Sequence, residues 1–307
     1  MLHVDVARFS PYEGAFHPAV MLSDYSFSLC GGPCAGMFLI EGPEMLGSLV
    51  QICRKMKIPF RVLGAMSNVL INDSGFDGIV LLNRKGRINH SDNGDGSATV
   101  TADSGAAMSG LVKYCAQNGL SGMEWASGLP GTVGGAVYGN AGAFGSDIST
   151  VFLRGEFLDD SGNQTVLSSS DLDFGYRTSA LKKGLDHIIL EAVFHLKYGD
   201  PEQISELGRE YKEKRKNSQP YNEHSLGSVF KNPEGCSAGK LIDDAGLKGV
   251  SFGKARVSNK HANFITTEKG VTSSDYKSLV DHVQRKVEEV SGIHLEPEIE
   301  FVGFQDK

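Results

Sequence analysis

The stretch Gly128-Leu-Pro-Gly-Thr-Val-Gly-Gly-Ala136 carries four glycines in nine residues and says more about the fold than any other segment. It is the second of three glycine segments in chain order: the first is Gly64-Ala-Met-Ser-Asn-Val-Leu70, and the third is Asn140-Ala-Gly-Ala-Phe-Gly145. Because glycine has no Cβ, main-chain N–H groups in such segments can converge on phosphate oxygens. Short side-chain donors of the kind that a pyrophosphate needs are also present: Ser67, Asn68 and Thr132.

Two familiar phosphate-binding motifs are missing from these segments. The sequence has no Gly-x-Gly-x-x-Gly that enters a helix and no Gly-x-x-x-x-Gly-Lys-Ser/Thr. The usual dinucleotide and P-loop interpretations therefore fail. Taken singly, each glycine segment is also compatible with ordinary turns, so their order and spacing carry the argument.

The composition is that of a soluble globular protein with two or three subdomains. The chain has 307 residues, of which 40% are hydrophobic and 22% charged, and its 38 glycines follow no collagen-like period. The net charge of −7 argues against nucleic-acid binding, which needs a basic surface. No apolar run approaches the roughly 18 residues of a membrane span. We therefore expect no nucleic-acid partner and no membrane partner.

The N-terminus and the cysteines favour a reducing cytoplasm. The first residues lack the charged and apolar regions of a secretory signal. The cysteines are odd in number and show no Cys-x-x-Cys spacing of the zinc type: Cys30, Cys34, Cys53, Cys115 and Cys236. No grouping of His, Asp, Glu and Cys has convincing metal-ligand spacing either, so we expect no metal.

Hydrophobic periodicity predicts mixed α and β structure. Apolar residues at helical spacing predict helices over 44–57 and 106–118, with Gly119 ending the second. Segments rich in strand formers predict strands over 60–63, 79–82, 152–158 and 188–196. Because helices and strands do not alternate strictly, the pattern indicates an α+β fold with a mixed sheet.

Three regions follow from this pattern. Residues 1–20 are irregular and are expected to pack on the surface or to be partly disordered. Residues 21–200 form a first domain, and residues 201–307 form a second that begins with a polar helix over 203–216. A final helix carries an apolar stripe that predicts core packing: Tyr276, Leu279, Val280, Val283, Val287 and Val290.

Three further segments place chemically useful side chains at fixed intervals. Leu-Gly-Ser-Val-Phe-Lys-Asn-Pro at 226–233 contains Ser228, Phe-Gly-Tyr-Arg-Thr-Ser at 174–179 contains Arg177, and Leu-Glu-Pro-Glu-Ile-Glu-Phe-Val-Gly at 295–303 contains Glu298. Taken alone, these are compatible with a turn serine, a surface ion pair and an acidic edge.

The trio together with the glycine segments resembles the UDP-N-acetylenolpyruvoylglucosamine reductase family over about residues 25 to 303. The run from Gly119 to Gly145 follows the family pattern almost throughout. The resemblance implies a vanillyl-alcohol-oxidase-type FAD-binding domain of two α+β subdomains within residues 21–200. It also implies a C-terminal α+β substrate-binding domain over residues 201–307.

The resemblance implies NADPH-dependent reduction of UDP-N-acetylglucosamine enolpyruvate to UDP-N-acetylmuramate, a step of peptidoglycan precursor synthesis. FAD would be bound non-covalently, NADPH would be the hydride donor, and the enol ether would receive hydride at C3 and a proton at C2. Arg177 would be the cation that grips the substrate carboxylate, because a guanidinium stays charged and binds in bidentate fashion. Glu298 would be an acid with a pKa raised by burial, and Ser228 the proton donor.

Further residues take roles by the same resemblance. The cofactor-binding set is Gly64, Ser67, Asn68, Gly128, Gly131, Thr132, Gly134, Gly135, Ala141 and Gly142. The substrate-binding set is Tyr176, Lys231, Asn232, His261 and Asn263. Within the second set, His261 and Asn263 are expected to orient backbone rather than to do chemistry.

The chain departs from the family pattern at two places, and one interval in it indicates the shorter class of the family. Ala65 and Met66 stand where the family usually has glycines, and 26–34 lacks the usual threonine-aromatic start. The interval of 51 residues from Arg177 to Ser228 leaves no room for a tyrosine-bearing insertion, which indicates the shorter class. A monomer is expected.

Two other functions stay open at this stage. Side chains at 65 and 66 also fit a non-catalytic homologue that keeps the fold and binds a UDP-sugar. A flavin oxidase of the same superfamily is less compatible with the trio of Ser228, Arg177 and Glu298.

Overall fold

The computed structural model describes residue 2 and residues 4–304 of the chain. The predictions that fall on residues 1, 3 and 305–307 lie outside the described residues. None of the helices in the described part has the length and apolar character required to cross a membrane.

Six α-helices and eighteen strands make up the described chain. The helices are α1 (Pro43–Met56), α2 (Met108–Gln117), α3 (Val133–Tyr138), α4 (Pro201–Ser218), α5 (Ala238–Asp244) and α6 (Ser273–Ser291). The strands are β1 (Phe16–Pro18), β2 (Cys34–Ile40), β3 (Phe60–Leu63), β4 (Val69–Ile71), β5 (Phe76–Asn83), β6 (Ile88–Asp92), β7 (Ser97–Asp103), β8 (Leu120–Ser121), β9 (Gly142–Ala143), β10 (Ser146–Asp147), β11 (Phe152–Leu158), β12 (Gln164–Ser168), β13 (Ile188–Tyr198), β14 (His224–Ser228), β15 (Ser251–Phe252), β16 (Ala255–Val257), β17 (Phe264–Thr267) and β18 (Glu300–Val302). Five 3₁₀ turns cover Val6–Phe9, Glu13–Ala15, Leu22–Asp24, Glu124–Ala126 and Ile148–Thr150.

The first sheet has the order β1-β2-β5-β3 and is mixed, as expected. Strand β1 runs antiparallel to β2, whereas β2 and β3 both run parallel to β5. Helix α1 packs on this sheet, and Leu46, Leu49 and Val50 on its inner face are fully buried. Proline in the first turn starts the helix with a φ that already suits it.

The N-terminal segment is more ordered than its irregular sequence predicts. It forms two 3₁₀ turns and contributes β1 to the first sheet. Phe9 is fully buried, with its ring 5.1 Å from that of Phe38, and Phe16 lies 5.2 Å from the same ring. The expectation of partial disorder is therefore wrong for these residues, because Phe9 and Phe16 pack against Phe38 in the core of the first sheet.

The second sheet contains six strands and builds the largest core of the described chain. Its order is β12-β11-β13-β7-β6, with β8 paired to β13, and the pairings are antiparallel. Alternate residues of β7, namely Ala98, Val100 and Ala102, are fully buried. Helices α2 and α3 pack on this core, so the glycine-rich stretch that starts at Gly128 lies at its surface and leads into α3.

The C-terminal sheet has the order β14-β17-β16-β15, with α6 across it. Five residues of the predicted apolar stripe are buried: Tyr276, Leu279, Val280, Val283 and Val287. The sixth, Val290, is 65% exposed, so the prediction is wrong for this residue. It lies in the last turn of α6, after which Gly292 ends the helix with a left-handed φ of 69°.

Two contacts tie the C-terminal residues to the rest of the chain. Strand β18 pairs in parallel with β4, which places Glu300 opposite Val69. Helix α4 packs against α2 and the turn Glu124–Ala126. The division between residues 200 and 201 stays a prediction, because these contacts run across it.

Candidate active site

Arg177 and Glu298 form an ion pair although they lie far apart in the sequence. The Arg177 Nε lies 2.9 Å from Glu298 Oε1, and its Nη2 donates to the Gly142 carbonyl at 2.7 Å. The two side chains are only 22% and 17% exposed. Arg177 has a φ of 57°, a left-handed conformation that a non-glycine residue adopts at some cost. This conformation is found in the turn that Gly175 and Thr178 close.

Main-chain and lysine contacts fix the position of Glu298. Its N–H donates to Val229 O at 2.8 Å, and Phe230 pairs with Pro297 next to it. Lys182 Nζ donates to the Glu298 carbonyl at 3.4 Å and pairs with Glu300 at 2.6 Å. Burial raises the pKa of Glu298 above its ordinary value, and the Arg177 guanidinium works in the opposite direction. The carboxyl group is therefore easier to protonate than an exposed glutamate.

Ser228 ends β14 one residue before the main-chain contact with Glu298. Gly227 precedes it with a φ of 76°, and the pairing of β14 with β17 is irregular between Ser225 and Ser228. A bulge of this kind re-aims a side chain at a strand end. Ser228 is half-buried, and within the described residues its hydroxyl makes no hydrogen bond. The hydroxyl thus has a proton that it can donate to a ligand.

Asn263 and His261 hold the backbone that follows Ser228. The Asn263 side chain bonds both main-chain groups of Phe230, accepting from its N–H at 3.0 Å and donating to its carbonyl at 2.8 Å. The Asn263 carbonyl accepts from Val229 N–H at 2.9 Å. His261 Nδ1 accepts from Asn263 N–H at 3.3 Å, and burial lowers the pKa of His261, which favours the neutral ring that this bond requires.

The other predicted substrate residues lie around the same turn. Tyr176 Oη accepts from Asn232 N–H at 3.3 Å. The Tyr176 ring lies 5.0 Å from the Arg177 guanidinium, and the residue is 52% exposed. The Asn232 side chain accepts from Ala238 N–H at 3.0 Å at the start of α5. Lys231 pairs with Glu296, so its charge is already partly compensated. All five predicted substrate residues are thus near the Arg177–Glu298 pair or support the backbone next to it.

The first and second glycine segments face each other. A Cβ on Gly64 would lie 2.3 Å from Thr132 Oγ1, and a Cβ on Gly131 would lie 3.5 Å from Ser67 Oγ. The close approach therefore requires glycine at 64, whereas Gly131 has a φ of 130° that a larger residue rarely adopts. Asn68 connects this turn to the C-terminal domain, since its side chain donates to Leu226 O at 3.1 Å.

The second segment leads into α3 through Thr132. Thr132 is the N-cap, and its Oγ1 accepts from Gly135 N–H at 3.4 Å. Gly134 packs against Ser104 so closely that a Cβ would lie 3.0 Å from the serine Cβ. The Ala141 N–H donates to the Ala136 carbonyl, and the Gly142 carbonyl accepts from Arg177 Nη2. The Gly142 bond joins the third glycine segment to the ion pair.

Met66 stands where the family usually has a glycine, but its side chain does not fill the space between the first and second glycine segments. It has a φ of 52°, is only 3% exposed, and belongs to a core cluster with Leu22, Cys34 and Met37. Arg84 donates to the carbonyls of Gly64 at 3.1 Å and Ala65 at 3.0 Å. The turn is therefore held by an arginine that directly follows β5, which the sequence pattern did not reveal.

These segments fit a pyrophosphate-bearing cofactor. Glycines at 64 and 131 keep Cβ atoms out of the space between the two facing turns. Ser67, Asn68 and Thr132 lie in the same turns and add polar side chains. In the part of the chain that the structure describes, no group of three or more His, Cys, Asp and Glu side chains is arranged to hold a metal ion.

Sequence reasoning missed Arg84, Lys182 and Arg215. Each acts through partners that are distant in the sequence, and none lies in a segment with a recognisable pattern. What marks these residues is that Arg84 and Lys182 are half-buried and Arg215 is buried. That burial follows from the fold and not from residue spacing.

Two family models match the chain. The model described as FAD binding domain matches residues 35–168, and the model described as UDP-N-acetylenolpyruvoylglucosamine reductase, C-terminal domain, matches residues 219–302. The predicted fold, an FAD-binding domain of the vanillyl-alcohol-oxidase type with a C-terminal α+β domain, is confirmed.

Curated relatives match nearly the whole chain. UDP-N-acetylenolpyruvoylglucosamine reductase from Exiguobacterium sibiricum is 40% identical over 297 residues, which cover 95% of this chain and 96% of the relative. The protein of the same name from Caldicellulosiruptor saccharolyticus is 39% identical over 284 residues, covering 92% and 90%. The crystal structure of UDP-N-acetylenolpyruvylglucosamine reductase from Thermus caldophilus superposes with a TM-score of 0.76 at 34% identity, covering 92% of this chain and 97% of the other.

Proposed function

This chain belongs to the UDP-N-acetylenolpyruvoylglucosamine reductase family, and from that premise we propose how its residues carry out the reaction. The chain is an FAD-binding oxidoreductase. The proposed reaction is the reduction of UDP-N-acetylglucosamine enolpyruvate to UDP-N-acetylmuramate, with NADPH as the hydride donor. The observation that supports it best is the half-buried pair of Arg177 and Glu298, with the free hydroxyl of Ser228 one residue from Val229, whose carbonyl accepts from the Glu298 N–H.

The cofactor residues keep the roles that the resemblance gives them. The facing turns at 64–68 and 128–135 would hold the pyrophosphate of FAD through main-chain N–H groups, with Ser67, Asn68 and Thr132 as side-chain donors. Ala141 and Gly142 would contact the same cofactor from the third segment. When bound, FAD supplies the hydride that reaches C3 of the enolpyruvyl group.

Arg177 would bind the substrate carboxylate. Its Nε and Nη2 already bond to Glu298 and Gly142, while its Nη1 has no hydrogen-bond partner within the described residues. Addition of hydride at C3 moves electron density through C2 towards the carboxylate. A fixed cation at that point stabilises the transition state more than the ground state.

Ser228 would complete the reaction by donating its hydroxyl proton to C2. The carbon–carbon double bond is then fully reduced, with hydride at C3 and a proton at C2. Glu298 would stabilise the developing charge as an acid, which the raised pKa of its buried carboxyl group supports. A proton from solvent must afterwards restore the serine hydroxyl.

Other residues would bind or orient the substrate. Tyr176, Lys231 and Asn232 contribute polar groups next to the ion pair, and His261 and Asn263 hold the strand end on which Ser228 lies. We further propose residues 1–20 as an N-terminal extension, 21–200 as the FAD-binding domain and 201–307 as the substrate-binding domain. A monomer in the cytoplasm, of the shorter family class, completes the proposal.

The reaction is tested with two absorbance measurements on the purified protein. NADPH added without oxygen should bleach the flavin band, and UDP-N-acetylglucosamine enolpyruvate added afterwards should restore it with one substrate reduced per flavin. A yellow protein whose bleached band does not return with this substrate would contradict the proposed substrate. A colourless protein that takes up no FAD would instead favour a non-catalytic homologue.

A further inference from the structure

Arg84 directly follows β5 and binds the main chain of two separate segments. Its Nε donates to the Gly64 carbonyl at 3.1 Å, and its Nη2 donates to the Ala65 carbonyl at 3.0 Å. The same Nη2 donates to the Tyr25 carbonyl, and the guanidinium lies 5.8 Å from the centre of the Tyr25 ring. The side chain thus ties the turn at 64–68 to the segment that precedes β2.

The charge of Arg84 is not neutralised by a carboxylate. The residue is half-buried, and across residue 2 and residues 4–304 no Asp or Glu side chain forms an ion pair with it. Its bonds to the carbonyls of Gly64 and Ala65 are charge-assisted, and such bonds are about twice as strong as bonds between neutral groups. The function of this guanidinium is therefore to fix main chain, not to pair with another side chain.

The bonds to Arg84 set the direction of two peptide units. The peptide bonds of residues 64–66 are trans, and in a planar trans peptide the carbonyl and the following N–H point in opposite directions. Because the carbonyls of Gly64 and Ala65 point at Arg84, the N–H groups of Ala65 and Met66 point away from it. Met66 has a left-handed φ of 52°, and a turn of this kind lets successive N–H groups converge on an anion.

The N–H groups of this turn have no partner in the described chain. None of the main-chain N–H groups of Ala65, Met66, Ser67 and Asn68 donates a hydrogen bond to another described residue. Met66 is only 3% exposed, and the other three residues are half-buried. Main-chain donors that are shielded from water almost always have a partner in a working protein. A row of such donors therefore fits an anionic ligand.

Two anchors give the turn the order that glycines would not provide. The Met66 side chain packs in the core cluster with Leu22 and Met37, while Arg84 holds the carbonyls of the preceding residues. Glycine loses more conformational freedom on ordering than any other residue, whereas a turn that is already fixed binds its ligand at a lower entropic cost. The side chains at 65 and 66 are therefore compatible with tight cofactor binding.

We propose that Arg84 is a positioning residue for FAD, because it keeps the N–H groups of Ala65 and Met66 directed at the diphosphate of the cofactor. Arg84 lies on the carbonyl side of the two peptide units and acts through them. Its charge polarises these units, which strengthens their N–H groups as donors. The proposal rests on the proposed function, since that function assigns the turn at 64–68 to the pyrophosphate of FAD.

The experiment compares the FAD affinity of Arg84→Met with that of Arg54→Met, by fluorescence titration of the apoproteins. Arg54 is the matched control: it is also half-buried and also binds two main-chain carbonyls, those of Asp159 and Asp186, outside the segments assigned to FAD. Both variants should lower the thermal midpoint of the apoprotein, because each leaves carbonyls without a partner. Only Arg84→Met should bind FAD more weakly, by about 10- to 100-fold, the scale of lost hydrogen bonds to a charged group.

A second readout follows the N–H groups themselves. Hydrogen exchange of the peptide that covers residues 64–70 is measured by mass spectrometry, with and without saturating FAD. In the wild type and in Arg54→Met, FAD should slow the exchange of the amides of Ala65 and Met66. In Arg84→Met these two amides should lose that protection. Arg84→Lys should recover part of the affinity and of the protection, because an ammonium group keeps the charge and still donates to a carbonyl.

Two outcomes would overturn the proposal. One is an FAD affinity of Arg84→Met equal to that of Arg54→Met, which would make Arg84 a residue of general stability only. The other is a weaker affinity with full protection of the two amides, which would mean that Arg84 does not act through them. If Arg84→Met does not fold, Arg84→Lys carries both measurements, with the same two outcomes. A wild-type apoprotein that takes up no FAD would instead contradict the proposed function.

Discussion

The cofactor segments, residues 64–68 and 128–135, and the reducing centre, formed by Arg177, Ser228 and Glu298, are built in opposite ways. The cofactor segments depend on the main chain, because glycines at close approaches keep side chains out of the way. The reducing centre depends on side chains, which are positioned by an ion pair and by hydrogen bonds to the backbone. We infer that the two regions fail separately, one by losing cofactor and the other by losing rate.

The largest effect is expected for Ser228→Ala, which removes the free hydroxyl from the reducing centre. The return of the flavin band with substrate should slow by about 10²- to 10⁴-fold or more, the usual value of general acid catalysis. FAD content and bleaching by NADPH should not change, and stopped-flow absorbance measures both steps. Ser228→Cys should recover part of the rate because a thiol also donates a proton. A normal rate in Ser228→Ala would leave Ser228 as a turn residue.

Arg177→Lys should be next, with substrate turnover lower by about 10²-fold or more. A lysine keeps the charge but cannot bond Glu298 and Gly142 in the geometry of the guanidinium. Single-turnover absorbance with each reactant separates the two steps, and only the step with the enolpyruvyl substrate should slow. Slow bleaching by NADPH would move the role of Arg177 to the other reactant.

Gly64→Ala tests the cofactor segments. The new Cβ would lie 2.3 Å from Thr132 Oγ1, and relief of such an overlap costs about 1–3 kcal/mol. We expect FAD to bind about 10- to 100-fold more weakly, measured by fluorescence titration of the apoprotein. Gly110→Ala is the control, since its Cβ would meet nothing closer than 3.9 Å. Equal FAD affinity in both variants would show that the two turns do not share the cofactor.

Glu298 should impose a pH limit on the reducing centre. Burial raises the pKa of its carboxyl group, so the protonated acid persists at higher pH than in an exposed glutamate. The rate of the substrate step should therefore fall by up to about tenfold per pH unit above that raised pKa, and Glu298→Gln should remove this pH dependence. The stability that this group contributes is fully present below its unfolded pKa and is lost as the pH rises through the folded pKa. An identical pH profile in Glu298→Gln would exclude Glu298 as the titrating acid.

Met66→Gly should have the smallest effect on the site. The Met66 side chain is buried in the core cluster with Leu22 and Met37, so its removal lowers stability by about 2–5 kcal/mol, offset in part by release of the left-handed backbone. FAD affinity, measured by the same titration, should not improve. An increase would mean that the side chain hinders the cofactor, as the departure from the glycine pattern suggests.

Local patterns predicted the elements well where a segment is long or strongly periodic. Strand formers at 60–63 and 152–158 gave the bounds of β3 and β11, and helical spacing gave α1 to within one residue at each end. Such patterns depend on residues that lie close together in the sequence. The N-terminal segment was missed because its order comes from Phe9 and Phe16 packing on Phe38, which is a contact between separate segments.

The candidate site divides in the same way. Ser228, Arg177 and Glu298 could be named because their segments match a known pattern, but their ion pair joins turns that no local rule relates. Lys231 was assigned to the substrate, and its pairing with Glu296 was not visible in the sequence. Arg215 had no sequence signal at all, because a charged run on a polar helix predicts a solvated face and burial occurs only at this one arginine.

The parallel pairing of β18 with β4 has a consequence for synthesis on the ribosome. Val69 leaves the exit tunnel well before its partner Glu300, which lies 231 residues later in the chain. Contacts of such long sequence separation form late and slow the folding of a chain. In the nascent chain, β4 therefore stays without its partner strand until β18 has been synthesised. Messages that are truncated before β18 should yield chains without a working reducing centre.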